Sequence, residues 1–138
     1  MDAYLDALEK EIDYTAAKFY HKHLNSIYIG GGTPTTLEPY QLDRLIRKIK
    51  CSFDLSDCLE FTVEAGRPDS ITREKLEVLR KWGITRISIN PQTMQQRTLD
   101  LIGRRHSVEQ TVESFKIARE LGFDDINMDL IMGLPEES

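Results

Sequence analysis

Apolar positions along the chain follow two rhythms that take turns. Leu5, Leu8, Ile12 and Phe19 recur at intervals of three, four and seven and predict a helix over 2–23. Leu42, Leu45, Ile46 and Ile49 place a second helix over 39–51. Pro39 suits its first position, where the missing N–H would have no partner in any case. Further helices are predicted over 72–82, 95–102 and 107–121. Gly83 stops the first of these and Gly122 the last, while Ser107 and Gln110 make a capping box that opens the last. Between the helices lie segments with a two-residue rhythm, 25–30, 59–65, 85–90 and 125–131, which predict strands. No linker or low-complexity stretch interrupts the series, so residues 1–138 read as one domain.

Strands separated by helices imply right-handed βαβ units and a parallel sheet. Side chains alternate across a strand, so each face can be read alone. One parity collects Ile27 and Ile29; Leu59, Phe61 and Val63; Ile87 and Ile89; Ile126, Met128 and Leu130. That face belongs under the helices. The other collects Ser26, Tyr28 and Gly30; Glu60, Thr62 and Glu64; Arg86, Ser88 and Asn90; Asn127 and Asp129. A doubly wound sheet would be apolar on both faces. The polar second face instead predicts an α/β fold of parallel β/α repeats, part of a barrel whose concave side is wet or holds a polar ligand. The alternative is an antiparallel sheet with one solvated face, which the intervening helices disfavour.

Eighteen Lys and Arg against 23 Asp and Glu leave a formal charge of −5. Duplex binding needs a basic face, so no nucleic-acid partner is expected. No apolar run is long enough for a membrane span, and Met1-Asp2-Ala3-Tyr4 does not resemble a secretory signal. A cytoplasmic location is the expectation. Cys51 and Cys58 are too few for a disulfide scaffold and lack the spacing of a metal or cluster site. His21 and His23, two apart on a predicted helix, do not share a face and read as surface residues. No metal site and no Ser-His-Asp triad is predicted.

In β/α barrels the chemistry sits at the C-terminal ends of the strands. Each such end here carries a distinctive group. The first is followed by Gly30-Gly31-Gly32-Thr33-Pro34-Thr35. This is neither a Walker A loop nor a G-x-G-x-x-G fingerprint; a tight turn and a ligand cradle are equally consistent with it. Glu64 ends the second strand, where a helix-capping or solvated carboxylate is the plain alternative. Gln92 follows the third. Asp129 lies near the end of the fourth, in an otherwise apolar strand where a buried carboxylate would need a partner. Arg104 and Arg105 follow Gly103 in a loop, and a solvated basic pair is the plain reading of them.

Four segments together resemble the radical S-adenosylmethionine (SAM) proteins: Tyr28-Ile29-Gly30-Gly31-Gly32-Thr33-Pro34-Thr35; Glu64-Ala65-Gly66-Arg67-Pro68-Asp69; Arg86-Ile87-Ser88-Ile89-Asn90-Pro91-Gln92; and Asn127 to Pro135. The branch they resemble is the oxygen-independent coproporphyrinogen III oxidases or dehydrogenases (HemN-like), and the second and third segments are similar to its HemZ-type subgroup. The resemblance implies a partial (β/α)6 barrel that binds SAM beside a 4Fe-4S cluster. It implies reductive cleavage of SAM to a 5′-deoxyadenosyl radical, with oxidative decarboxylation of coproporphyrinogen III to protoporphyrinogen IX. It places Gly31, Gly32 and Thr33 against SAM through backbone and hydroxyl groups. Glu64, Gln92 and Asp129 would meet its ribose or amino group, and Arg104 its methionyl carboxylate. None of these residues is given a directly catalytic role. A haem-chaperone branch shares the motifs and binds haem without oxidase activity.

The cluster-binding Cys-x-x-x-Cys-x-x-Cys loop of that family is absent from these residues. The chain is therefore expected to be an internal part of a longer enzyme, inactive alone. In the full-length protein the partners would be a porphyrinogen substrate and an electron donor. The chain by itself could self-associate through sheet edges near Ile27 and Ile126.

Overall fold

The computed structural model describes residues 1–137. Five helices and four strands alternate as α1 (Asp2–Lys18), β1 (Ser26–Ile29), α2 (Pro39–Ser52), β2 (Glu60–Gly66), α3 (Arg73–Lys81), β3 (Arg86–Ile89), α4 (Gln96–Leu101), α5 (Val108–Glu120) and β4 (Asp125–Asn127). One-turn helices at Pro34–Thr36 and Pro68–Ser70 follow β1 and β2. The strands form one sheet in the order β1-β2-β3-β4, every pair parallel. Sequential order with parallel pairing is the β/α repeat of a barrel wall, as the alternation predicts.

Local chemistry sets the helix starts. Pro39 occupies the first turn of α2, and Glu38 and Gln41 form a reciprocal capping box there. Thr72 caps α3 by accepting from Lys75 N. Ser107 and Gln110 form the predicted box on α5. Each cap satisfies backbone N–H groups that have no partner inside the helix.

The core lies between the sheet and α2, α3 and α5. Phe61, Val63, Ile87 and Ile89 from the strands meet Leu42, Ile46, Leu76, Leu79 and Ala118, all buried. Helix α1 buries Leu5 and lies against α2. Arg44 on α2 bonds Glu9 through both carboxylate oxygens, at 2.7 and 2.8 Å, and Asp6 at 2.5 Å; Lys48 bonds Asp13 at 2.6 Å. These pairs are partly exposed, with Asp6 and Asp13 open to solvent, so they orient α1 more than they stabilise it.

Three sequence expectations are corrected. Helix α1 ends at Lys18, not at 23, and Phe19 is the exposed C-cap residue. Strand β4 stops at Asn127. Beyond it only Leu130 makes an isolated bridge, to Gln92. Leu59, Met128 and Leu130 therefore fall outside the paired strands and are exposed, 86 % in the case of Leu59. Their parity matched the core, but parity has meaning only while the ladder continues. Replacing Ile87 with Ala should cost about 2–5 kcal/mol in urea unfolding. Leu59→Ala should change stability by less than about 0.5 kcal/mol. Equal costs would overturn this placement of the core.

Candidate functional site

On the face away from the core helices, polar side chains of all four strands join in one chain of hydrogen bonds. Tyr28 on β1 donates its hydroxyl to Glu64 Oε2 at 3.2 Å. Asn90, just after β3, donates Nδ2 to Glu64 Oε1 at 3.2 Å, and its own Oδ1 accepts from Ser88 Oγ at 2.7 Å. Asn127 on β4 donates to Ser88 Oγ at 3.1 Å and to Asp129 Oδ1 at 2.9 Å. The row Tyr28–Glu64–Asn90–Ser88–Asn127–Asp129 thus crosses the sheet near its C-terminal rim, a width of roughly 14 Å for four strands. Gln92 joins through the backbone: its N–H donates to Asp129 O at 3.1 Å, and its carbonyl accepts from Ile131 N at 2.9 Å.

The backbone at this rim is specialised. Between Glu64 and Gly66 the β2–β3 register shifts, a bulge that leaves Ala65 without a facing partner. Gln92 has a φ of +69°, unusual for a residue with a side chain. Its Oε1 is buried with no hydrogen-bond partner. A Cβ on Gly30 would run into the Tyr28 ring and come within 3.0 Å of Glu64 Oε2, so only glycine leaves the Tyr28–Glu64 pair room. Gly31 and Gly32 are needed for another reason. Both have positive φ, 82° and 57°, with open space where a Cβ would be.

The predicted residues do not share one cavity. Glu64, Gln92 and Asp129 are joined by the hydrogen bonds above. Gly31 and Thr33 line an apolar groove of about 640 Å³ between α1, β1 and α2. Gln92 and Arg104 line a cleft of about 580 Å³ beyond β3. The hydrogen-bonded row lies along the rim between these recesses. Asp129 is exposed, not buried as its flanking residues predict, because the strand has ended before it.

Two further groups hold the rim from behind, and hydropathy patterning did not single them out. Lys75 on α3 is 9 % exposed and has no carboxylate partner among the described residues. Its ammonium donates to Thr35 O at 2.7 Å and Ser70 O at 3.2 Å. Thr35, fully buried, donates to Ala65 O and shares a 2.6 Å bond with Ser70 Oγ. One buried cation thereby ties the loop after β1 to the loop after β2. His106, 1 % exposed, bonds Pro91 O through Nε2 at 3.0 Å and braces the residue before Gln92. Helical periodicity marks Lys75 only as a polar position; its burial follows from two loops folding over it. His21 and His23 are exposed, as expected; His23 faces Asp54 and Asp57.

The radical SAM superfamily pattern matches residues 4–138. The chain belongs to the radical SAM superfamily. Over 115 residues, 83 % of the chain, it is 52 % identical to the oxygen-independent coproporphyrinogen-III oxidase-like protein HemZ of Bacillus subtilis. It is 44 % identical over its whole length to the haem chaperone HemW of the same organism. The solved structure of the Escherichia coli radical SAM enzyme coproporphyrinogen III oxidase (HemN) superposes over 99 % of the chain with a TM-score of 0.91 at 36 % identity. The chain spans 23 % of the length of HemZ, 36 % of HemW and 31 % of HemN. The four-stranded parallel wall is thus a part of the radical SAM barrel.

Radical SAM proteins as a class use SAM and a 4Fe-4S cluster. The residues here do not fit the cluster. Cys51 is exposed at the end of α2 and Cys58 half-buried ahead of β2. Among the described residues no three His, Cys, Asp or Glu side chains are grouped to hold a metal.

The phenol of Tyr28 should titrate above its ordinary value of 10.0, first through partial desolvation, then through the charge and hydrogen bond of Glu64. The unfolded chain then loses this proton first, so stability falls as pH rises past 10. Ultraviolet titration should show Glu64→Gln moving the transition back towards 10; no movement would break the Tyr28–Glu64 link. Lys75→Met should cost about 1–3 kcal/mol by leaving buried carbonyls without a donor. Hydrogen exchange should then quicken at the amides of Thr33, Thr35 and Thr36 relative to β2, and uniform protection would argue against the tie between the loops.

Proposed function

We propose that this chain is the SAM-binding part of a radical SAM oxidoreductase of the coproporphyrinogen III oxidase type. The observation that carries the reading is the hydrogen-bonded row from Tyr28 to Asp129. It holds two carboxylates and the Gln92 turn along one rim, aligned before any ligand arrives. Such preorganisation lowers the ordering cost of binding.

The donor set fits SAM. Glu64 and Asp129 accept from ribose hydroxyls or the ammonium group. The unpartnered Gln92 Oε1 offers a further acceptor. Gly31, Gly32 and Thr33 present backbone and hydroxyl groups where the glycines leave open space. Arg104 meets the methionyl carboxylate, for which the guanidinium fork is matched. The sulfonium charge favours a rim bearing two carboxylates. When bound and reductively cleaved, SAM supplies a 5′-deoxyadenosyl radical. What these residues contribute is binding and orientation: Tyr28 and Asn90 fix the Glu64 carboxylate, Asn127 fixes Asp129, and His106 braces the Gln92 turn.

In the whole protein the reaction would be oxidative decarboxylation of coproporphyrinogen III, with an electron donor, in the cytoplasm. No helix is long and apolar enough to cross a membrane among the described residues. The chain alone would lack activity, and the outer edges of β1 and β4 would favour self-association. A second reading, a haem chaperone without oxidase activity, is favoured by the alignment of this whole chain with 36 % of HemW.

Calorimetry of the 138-residue chain with SAM tests the binding role. Glu64→Ala and Asp129→Ala should each weaken binding by about 10–100-fold, as expected for a lost hydrogen bond to a charged group. Effects below twofold at both positions would refute the reading. For the full-length protein, turnover of coproporphyrinogen III supports the oxidase; haem binding without turnover supports the chaperone.

A further inference from the structure

The cleft beyond β3 is unusual in its charge. Arg67, Arg104 and Arg105 all line it, with Gln92 in the same wall. Arg67 has one partner, Asp69, at 3.1 Å, and its Nε is buried with no hydrogen bond. Arg104 and Arg105 take part in no ion pair among the described residues. Three arginines thus line one cleft with a single carboxylate paired to them, in a chain whose net charge is −5. Cations gathered this way repel one another, and an anion relieves that cost.

The proposed role of Arg104 accounts for one carboxylate, that of SAM. A single carboxylate is matched by one guanidinium fork and does not require three. Other features of the cleft narrow the chemistry of a second anion. Ile131 and Leu134 form part of its wall, so its occupant has apolar surface to cover. Asp69 stands beside Arg67 and penalises a dianion such as inorganic phosphate more than a carboxylate.

We infer that Arg67 and Arg105 form a second carboxylate site, which takes an acid side chain borne on an apolar body next to the place of the SAM carboxylate. The inference rests on the SAM reading only for the role of Arg104. Under that reading the acid is a substrate carboxylate that the decarboxylation leaves in place, so Arg67 and Arg105 orient the substrate without touching the reacting atoms.

Coproporphyrin III, the oxidised and air-stable polycarboxylate related to the substrate named for HemN, is the probe. Its fluorescence is followed on titration with the 138-residue chain, and SAM affinity is measured separately. Arg67→Gln and Arg105→Gln should each weaken porphyrin binding by about fivefold or more while SAM affinity stays within twofold. Arg47→Gln, an exposed change of equal charge on α2 outside the cleft, should leave both affinities unaltered. Arg105 is itself exposed, so its variant tests the site even if Arg67→Gln unfolds the chain. Three outcomes would overturn the inference: no porphyrin binding by the unaltered chain; an equal loss with Arg47→Gln; or a parallel loss of SAM affinity with the Arg67 and Arg105 changes, which would mean that all three arginines serve one carboxylate. Porphyrin binding that depends on Arg67 and Arg105 without any SAM binding would refute the SAM reading and leave this site standing.

Discussion

A parallel sheet covered by helices on one side can order the polar side chains of its other side through its own strands. Here it does so laterally. Each strand contributes one or two groups, and these bond to the strand beside them: Tyr28 to Glu64, Glu64 to Asn90, and Ser88 to Asn127. The strands are already fixed in register by the backbone ladder. The row adds orientation, because a carboxylate with two donors has few remaining rotamers. Lys75 does the same for the loops behind it, with a buried charge spread over carbonyl oxygens. Site geometry is thereby set by the apolar packing on the opposite face, which fixes where the strands lie.

Much of this was legible in the residues. The two rhythms located the five α-helices and four strands, though not the one-turn helices after β1 and β2, and the Ser107 cap and Pro39 start fell where their backbone chemistry required. Reading the faces separately distinguished a barrel wall from a doubly wound sheet. The strand-end residues Glu64, Gln92 and Asp129 lie on one rim because strand parity and the C-terminal rule act together.

What escaped was what alternation cannot encode. Nothing in the run 125–131 marks where pairing stops; the chain leaves the ladder after Asn127 so that Asp129 and Ile131 can bond the Gln92 backbone. The exposure of Leu59 has the same origin at the other end of a strand. Lys75 and His106 were missed because their burial is a tertiary fact, produced by loops distant in sequence closing over them. The bulge at Ala65 escaped as well, because the predicted strand 59–65 stopped short of Gly66, which closes the observed β2.

Gln92 carries one more implication. A left-handed backbone costs a side-chain-bearing residue about 1–2 kcal/mol relative to glycine. Selection for thermal robustness alone would therefore favour glycine at 92 and discard the amide with it. If Gln92 holds SAM as proposed, a glutamine there trades durability for recognition, and libraries screened only by melting temperature would erase it first.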